Sequence, residues 1–220
     1  YDWRVANGEG VGRARSNVQA AVPYITGCST PVQGSAPRSF LLDQPGIPPE
    51  PQKPEGEHFL QFESRFEGGN LLQGIRLSPR EYDLVIRSDL HTRSHHQWFY
   101  FAITNTHPPN IKGPVEYKFN VVNMTKPSSM FSHGMQPVVY SALRAQEKGE
   151  GWRRSGSNIA YYPNDYETPG AVSKVKGQGN YFTLTFTLTF EQEHDFYLIA
   201  MCYPYTYSKL QRFLQRECAT

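Results

Sequence analysis

The sequence has no apolar run long enough to cross a membrane as a helix, and it does not open on the charged and apolar segments of a secretory signal. It begins at Tyr1 rather than Met, which is the pattern expected of a fragment or trimmed chain, so a missing signal does not exclude targeting. Cysteine is scarce. Cys28, Cys202 and Cys218 are an odd and scattered set, which fits a reduced cytosolic protein better than a secreted disulfide scaffold. A dominant charge is missing as well: 22 basic and 20 acidic residues leave a net charge of +2. That balance argues against a dedicated nucleic-acid binder, which concentrates basic residues. No serine nucleophile elbow, no His-Glu-x-x-His motif and no Cys/His zinc spacing occurs.

What the chain does have is aromatic bulk and alternation. Its 220 residues include 14 Tyr and 13 Phe, enough to fill a sizeable core with rings. The clearest pattern runs from Tyr181 to Phe190. Phe182, Leu184, Phe186, Leu188 and Phe190 take the even positions, and threonine takes every odd position from Thr183 to Thr189. Side chains with period two share one face of a strand, so the pattern predicts a long strand with an apolar side in a core and a threonine side toward solvent. Further strands are predicted around His58 to Glu63, Glu81 to Arg87, Gln97 to Thr104, Val115 to Asn123, Asn158 to Tyr162 and Phe196 to Cys202. The segment 97–104 is apolar on both faces and reads as a central strand. Ser141 to Gly149 reads as a short helix with a serine cap and a glycine stop. Strands in succession with little helix predict an all-β, antiparallel sandwich.

Both ends of the chain differ from this middle. Residues 1–57 are rich in Pro, Gly, Ser and Gln without periodicity, so they read as an irregular arm. Gly8, Gly10 and Gly12 are not a phosphate loop, because no strand precedes them and the spacing is wrong. At the far end, Ser208-Lys209-Leu210-Gln211 looks like a capping box, and Tyr207, Leu210, Phe213 and Leu214 repeat at helical spacing. The predicted division is therefore an arm at 1–57, a sandwich at 58–205, and a linker helix at 206–220 that leads toward an absent domain.

The chemistry-bearing residues favour no catalytic role. His91, His95 and His96 invite a metal reading, yet they sit between strands, with no carboxylate base and with Arg93 beside them. Glu191, Glu193 and Asp195 read as ordinary charge at a turn. Arg153, Arg154, Lys174 and Lys176 could meet an acidic partner but read as solvated edges and loop. Asn123-Met124-Thr125 is a formal glycosylation triplet and is read as inert. No catalytic residue and no metal ligand is assigned.

Several motifs, taken together, carry a resemblance. Phe66-Glu67-Gly68-Gly69-Asn70-Leu71, Gln97-Trp98-Phe99-Tyr100-Phe101, and Tyr117 to Asn123 with Lys126-Pro127 follow one another in order. Gly134-Met135-Gln136-Pro137 with Tyr140-Ser141, Trp152 with Tyr161-Tyr162, and Tyr203-Pro204-Tyr205-Thr206-Tyr207-Ser208 complete the series. Over residues 58 to 214 this series resembles the amino-terminal, non-catalytic domain of the cytosolic carboxypeptidases. The resemblance implies a zinc metallocarboxypeptidase parent that trims glutamates from protein tails such as tubulin. Its zinc, its ligands and its catalytic residues would lie in a downstream catalytic domain, the implied partner of this one, and the parent would be cytoplasmic and microtubule-associated. The domain itself would support the folding, substrate access or regulation of its neighbour, with no nucleic-acid or membrane partner. The expected joint is Tyr203, Tyr205, Thr206, Tyr207, Ser208, Leu210 and Leu214, because in that family the tyrosine motif lies between the two domains. The alternative is a free-standing sandwich that binds an acidic protein tail or a glycan through exposed aromatics.

Overall fold

The long alternating segment forms the strand β9, Asn180–Phe190, in a computed structural model that describes residues 57–92, 95–168 and 179–218. The strands before it are β1 (Gln61–Glu63), β2 (Leu71–Ser78), β3 (Glu81–Ile86), β4 (Tyr100–Thr104), β5 (Val115–Met124), β6 (Val138–Ser141), β7 (Arg153–Arg154) and β8 (Ser157–Glu167). After it come β10 (Tyr197–Ala200) and the helix α2 (Tyr207–Cys218), while α1 (Ala142–Lys148) follows β6. The strands make two five-stranded sheets, ordered β1-β4-β10-β6-β7 and β2-β3-β5-β9-β8. All pairs are antiparallel except β3 with β5, which run parallel from Glu81↔Lys118 to Leu84↔Val121. The expected sandwich is therefore present, in mixed rather than wholly antiparallel form. The predicted arm lies outside the described residues apart from Glu57.

The core is a layer of rings and branched side chains between the two sheets. Phe62, Phe99, Phe101, Ile103, Tyr197 and Ile199 enter it from the first sheet, and Tyr82, Phe119, Leu184, Phe186 and Phe190 from the second. Phe99 stacks on Phe186 with ring centroids 6.1 Å apart and planes 14° from parallel. Phe190 meets Tyr197 edge-on at 4.6 Å. Such offset and edge-to-face pairs suit the ring quadrupoles, in addition to the area they bury.

Most of the threonine face of β9 is covered, contrary to expectation, and only Thr189 is exposed as predicted. Thr183, Thr185 and Thr187 are buried, and so is Tyr181. The reason is position, because β9 lies between β5 and β8 and side chains from both neighbours close over it. Thr185 donates its hydroxyl hydrogen to Oδ1 of Asn120 at 2.8 Å and lies 3.1 Å from the Tyr162 hydroxyl. Asn164 Nδ2 donates to Thr183 at 2.9 Å. Asn120 in turn donates to Asp83 at 2.9 Å and Glu81 at 3.0 Å. The outer face of this sheet thus carries polar networks in which the hydroxyls of Thr183 and Thr185 are bonded, so they are buried at little cost.

Side-chain amides also extend the backbone ladder. Regular pairing of β3 with β5 stops at Leu84↔Val121. Beyond it, Asn123 Nδ2 donates to the Ile86 carbonyl at 2.8 Å and its Oδ1 accepts from the Ile86 N–H at 3.0 Å. Asn123 is wholly buried in this role, so the glycosylation triplet has no accessible acceptor in the folded domain. At α1, Ser141 caps the helix by accepting from Arg144 N at 3.1 Å, and Gly149 closes it with φ 69°.

Asp195 is not the ordinary turn charge that the sequence suggests. It is buried, accepts the N–H groups of Leu143 at 2.9 Å and Phe196 at 2.7 Å, and accepts the Ser141 hydroxyl. It ties the start of α1 to the approach of β10. Burial pushes its carboxyl above the usual range, and these donors oppose that rise.

Two comparisons test the core. Phe186→Ala is expected to cost about 3–5 kcal/mol in urea melts. Thr185→Ala, which strands the Asn120 and Tyr162 partners, costs on the order of 1–2 kcal/mol rather than the few tenths of a solvated position. Asp195→Ala costs roughly 3 kcal/mol, while Asp195→Asn retains an acceptor for the two N–H groups and recovers most of that loss.

Candidate functional site

The outer face of the first sheet is lined with rings and organised by one turn. In Phe66-Glu67-Gly68-Gly69-Asn70, Gly69 N–H donates to Phe66 O at 2.9 Å, and a Cβ on Gly69 would lie 2.2 Å from the Ser64 carbonyl oxygen. Only glycine fits there. Asn70 Oδ1 then accepts from Tyr100 N–H at 3.0 Å, and Trp98 Nε1 donates to the Gly68 carbonyl at 2.9 Å. The turn therefore fixes the start of β4. Around it Phe66 meets Tyr100 at 4.8 Å, Tyr100 meets Trp152 at 5.8 Å, and Trp152 meets Tyr140 at 5.7 Å. Four motifs of the series, those of Phe66, Tyr100, Tyr140 and Trp152, share this cluster.

The tyrosine motif lies against the same turn. Glu67 Oε1 accepts the Ser208 N–H at 2.8 Å across 141 residues of chain, and the Thr206 methyl is 4.0 Å from where a Cβ on Gly68 would stand. The cap of α2 is Thr206 rather than Ser208. Thr206 Oγ1 accepts from Lys209 N–H at 3.4 Å, and its carbonyl accepts from Leu210 N–H at 3.0 Å. Ser208 lies inside the first turn, so its N–H needs an outside acceptor, and Glu67 is that acceptor. The Ser208 N–H holds the Glu67 carboxyl below its usual range.

Beyond these anchors the motif faces outward. Tyr203, Tyr205 and Tyr207 are 51%, 58% and 69% exposed, and Leu214 is 42% exposed. Leu210 is half-buried, Phe213 is exposed, and α2 has no buried residue along its length. Arg154 lies 5.7 Å from the Tyr203 ring centroid and Lys209 Nζ 5.3 Å from that of Tyr205. Among the described residues, then, these side chains do not close the bottom of the sandwich. They form an aromatic and apolar surface beside the ring cluster of the first sheet.

The histidines do not make a metal centre. His91 is an exposed turn residue with φ 61°, and His96 is buried with its ring edge-on to Tyr181 at 5.7 Å. Among the described residues no three His, Cys, Asp or Glu side chains are grouped to hold a metal ion. The residues present do not fit zinc. No helix among them is long and apolar enough to cross a membrane. Cys202 and Cys218 are free thiols. Lys174 and Lys176 lie outside the described residues.

Fold and surface together define a two-sheet β-sandwich with an exposed aromatic surface beside its first sheet. Residues 62–168 match the profile of the cytosolic carboxypeptidase N-terminal domain. The chain is 43% identical over 159 residues to cytosolic carboxypeptidase 2 of Danio rerio, an alignment covering 72% of this chain and 20% of that protein. It is 42% identical over 163 residues to human cytosolic carboxypeptidase 2, covering 74% of this chain and 16% of the relative. Against human cytosolic carboxypeptidase 1 it is 39% identical over 163 residues, covering 74% and 13%. The chain belongs to the cytosolic carboxypeptidase family and carries its amino-terminal domain. It spans only 13% to 20% of the length of these relatives.

The link between the turn and the helix has a defined pH dependence. A carboxyl whose folded pKa is depressed contributes stability above its unfolded value, here 4.5, and loses it as pH falls through the lower folded value. The Ser208 amide resonance should therefore move as the protein is acidified below pH 4.5. In Glu67→Gln, which keeps an acceptor but cannot titrate, the same resonance should stay still.

Proposed function

We propose that this domain is the accessory amino-terminal part of a zinc carboxypeptidase that removes glutamates from protein tails such as tubulin. In this reading residues 58–205 are the sandwich and 206–220 the linker to a downstream catalytic domain. That domain supplies the zinc and the residues that act on substrate. Tyr203, Tyr205, Thr206, Tyr207, Ser208, Leu210 and Leu214 form the joint with it, and the sandwich supports its folding and substrate access. The parent acts in the cytoplasm on microtubules.

The observation that carries this reading is the exposure of three tyrosines and a helical apolar stripe in a segment anchored at one end by Glu67. Tyrosine suits a joint because it buries a rigid ring while its hydroxyl still hydrogen-bonds at the rim. A helix with one apolar stripe needs a surface to cover it. The relatives' names support the peptidase class, since they are cytosolic carboxypeptidases.

The test is made in the full-length enzyme and in the sandwich separately. Tyr205→Ala and Tyr207→Ala should reduce glutamate release from a polyglutamylated tubulin peptide. The same substitutions should leave the melting temperature of this chain nearly unchanged, as exposed positions usually shift stability by less than about 0.5 kcal/mol. A variant that unfolds this chain, yet preserves activity per folded full-length molecule, would assign the tyrosines to the local core.

A further inference from the structure

One end of the sandwich gathers basic side chains around two polar atoms that have no hydrogen-bond partner among the described residues. There β2 finishes, β3 and β5 begin, and the segment before β1 passes the residues after β4. Arg76 of β2 reaches this rim with 11% of its side chain exposed and pairs with Glu57. Arg80, in the β2–β3 turn, sets its guanidinium carbon 5.6 Å from the centroid of the Tyr117 ring. Its hydrogen bond goes to the Glu116 backbone carbonyl at 3.4 Å, and among the described residues it pairs with no carboxylate. The nearby Glu81 is engaged by Lys118 and Asn120.

Two groups sit within this positive field. The His58 ring bonds the backbone of Asn105, and burial lowers its pKa, assisted by the charges of Arg76, Arg80 and His107. Tyr117 is 1% exposed, and burial raises its pKa while Arg80 and Arg76 oppose the rise. Among the described residues, neither the Tyr117 hydroxyl nor His58 Nε2 has a hydrogen-bond partner. A buried hydroxyl with no partner carries its full desolvation cost, and clustered like charges repel. One added anion would relieve both.

We propose that this rim is an oxyanion site, taking a carboxylate or phosphate group between Arg76, Arg80, His58 and the Tyr117 hydroxyl. Guanidinium forks match the oxygens of either group, and the hydroxyl supplies a further donor. His58 Nε2 becomes a donor when the ring takes a second proton, which a neighbouring anion favours. None of these residues belongs to the tyrosine joint, so the site stands or falls apart from the proposed peptidase role.

Thermal melts of the 220-residue chain test this at fixed ionic strength, with inorganic phosphate, succinate or triglutamate added against chloride. The expected result is a saturable rise in melting temperature. Phosphate acting without succinate assigns a phosphate ligand, and succinate or triglutamate acting without phosphate assigns a carboxylate. Arg80→Gln should weaken the response about tenfold or more. Tyr117→Phe should weaken it too, yet leave the ligand-free melting temperature at or above that of the parent, because its hydroxyl bonds nothing. Lys118→Gln, on the opposite face of β5, should respond like the parent. The proposal is overturned by three results: no saturable rise with any anion, equal rises in Arg80→Gln and Tyr117→Phe, or a ligand-free loss of stability in Tyr117→Phe.

Discussion

The whole domain depends on the ring layer between the two sheets. Phe99 and Phe186 lie near parallel across the interface, and Phe119, Phe190, Tyr82 and Tyr197 fill the space around them. Each fully buried ring of this kind contributes roughly 1.5–3 kcal/mol, offsetting the entropy lost when ten short strands are fixed. Because the layer sets the spacing of the sheets, it also fixes where β4 and β10 present their opposite side chains. Tyr100 and Tyr140 reach the outer aromatic cluster only because Phe101 and Val139 are locked inward.

Alternation made this layer readable from residues alone. Leu184, Phe186, Leu188 and Phe190 all face the core, as the period-two pattern requires, and the double-sided apolar run at 97–104 supplies a strand buried on both faces. Ser141 and Gly149 gave α1 through capping chemistry that acts within a few residues. Reading failed where the deciding contact was distant. The threonines of β9 look like solvent-facing residues in isolation, and only the placement of β5 and β8 on either side makes them buried. The parallel pairing of β3 with β5 leaves no local trace. Asp195 resembles any acidic turn residue until Ser141 and Leu143 are brought to it from more than fifty residues away.

The exposed tyrosine surface was legible in part for the same reason. Its tyrosines and helical stripe are local patterns, so their residue numbers could be stated in advance. Their anchor could not, since Glu67 and Ser208 are joined only by the fold. The basic rim was invisible altogether. Its members come from four separate places, His58, Arg76 with Arg80, His107 and Tyr117, and only the fold brings them together.

The strand order also governs when the domain can form. The middle strand of the first sheet, β10, is the last of the described strands, and the second sheet is interrupted until β9 enters between β5 and β8. During synthesis on a ribosome, β9 must emerge before the second sheet can close, and β10 before the first. Earlier strands wait with unpaired edges, which is the slow, non-local assembly expected of such topologies. A transcript variant ending short of Ala200 would therefore yield no smaller working sandwich, only a chain that displays its aromatic strands to whatever chaperone meets it.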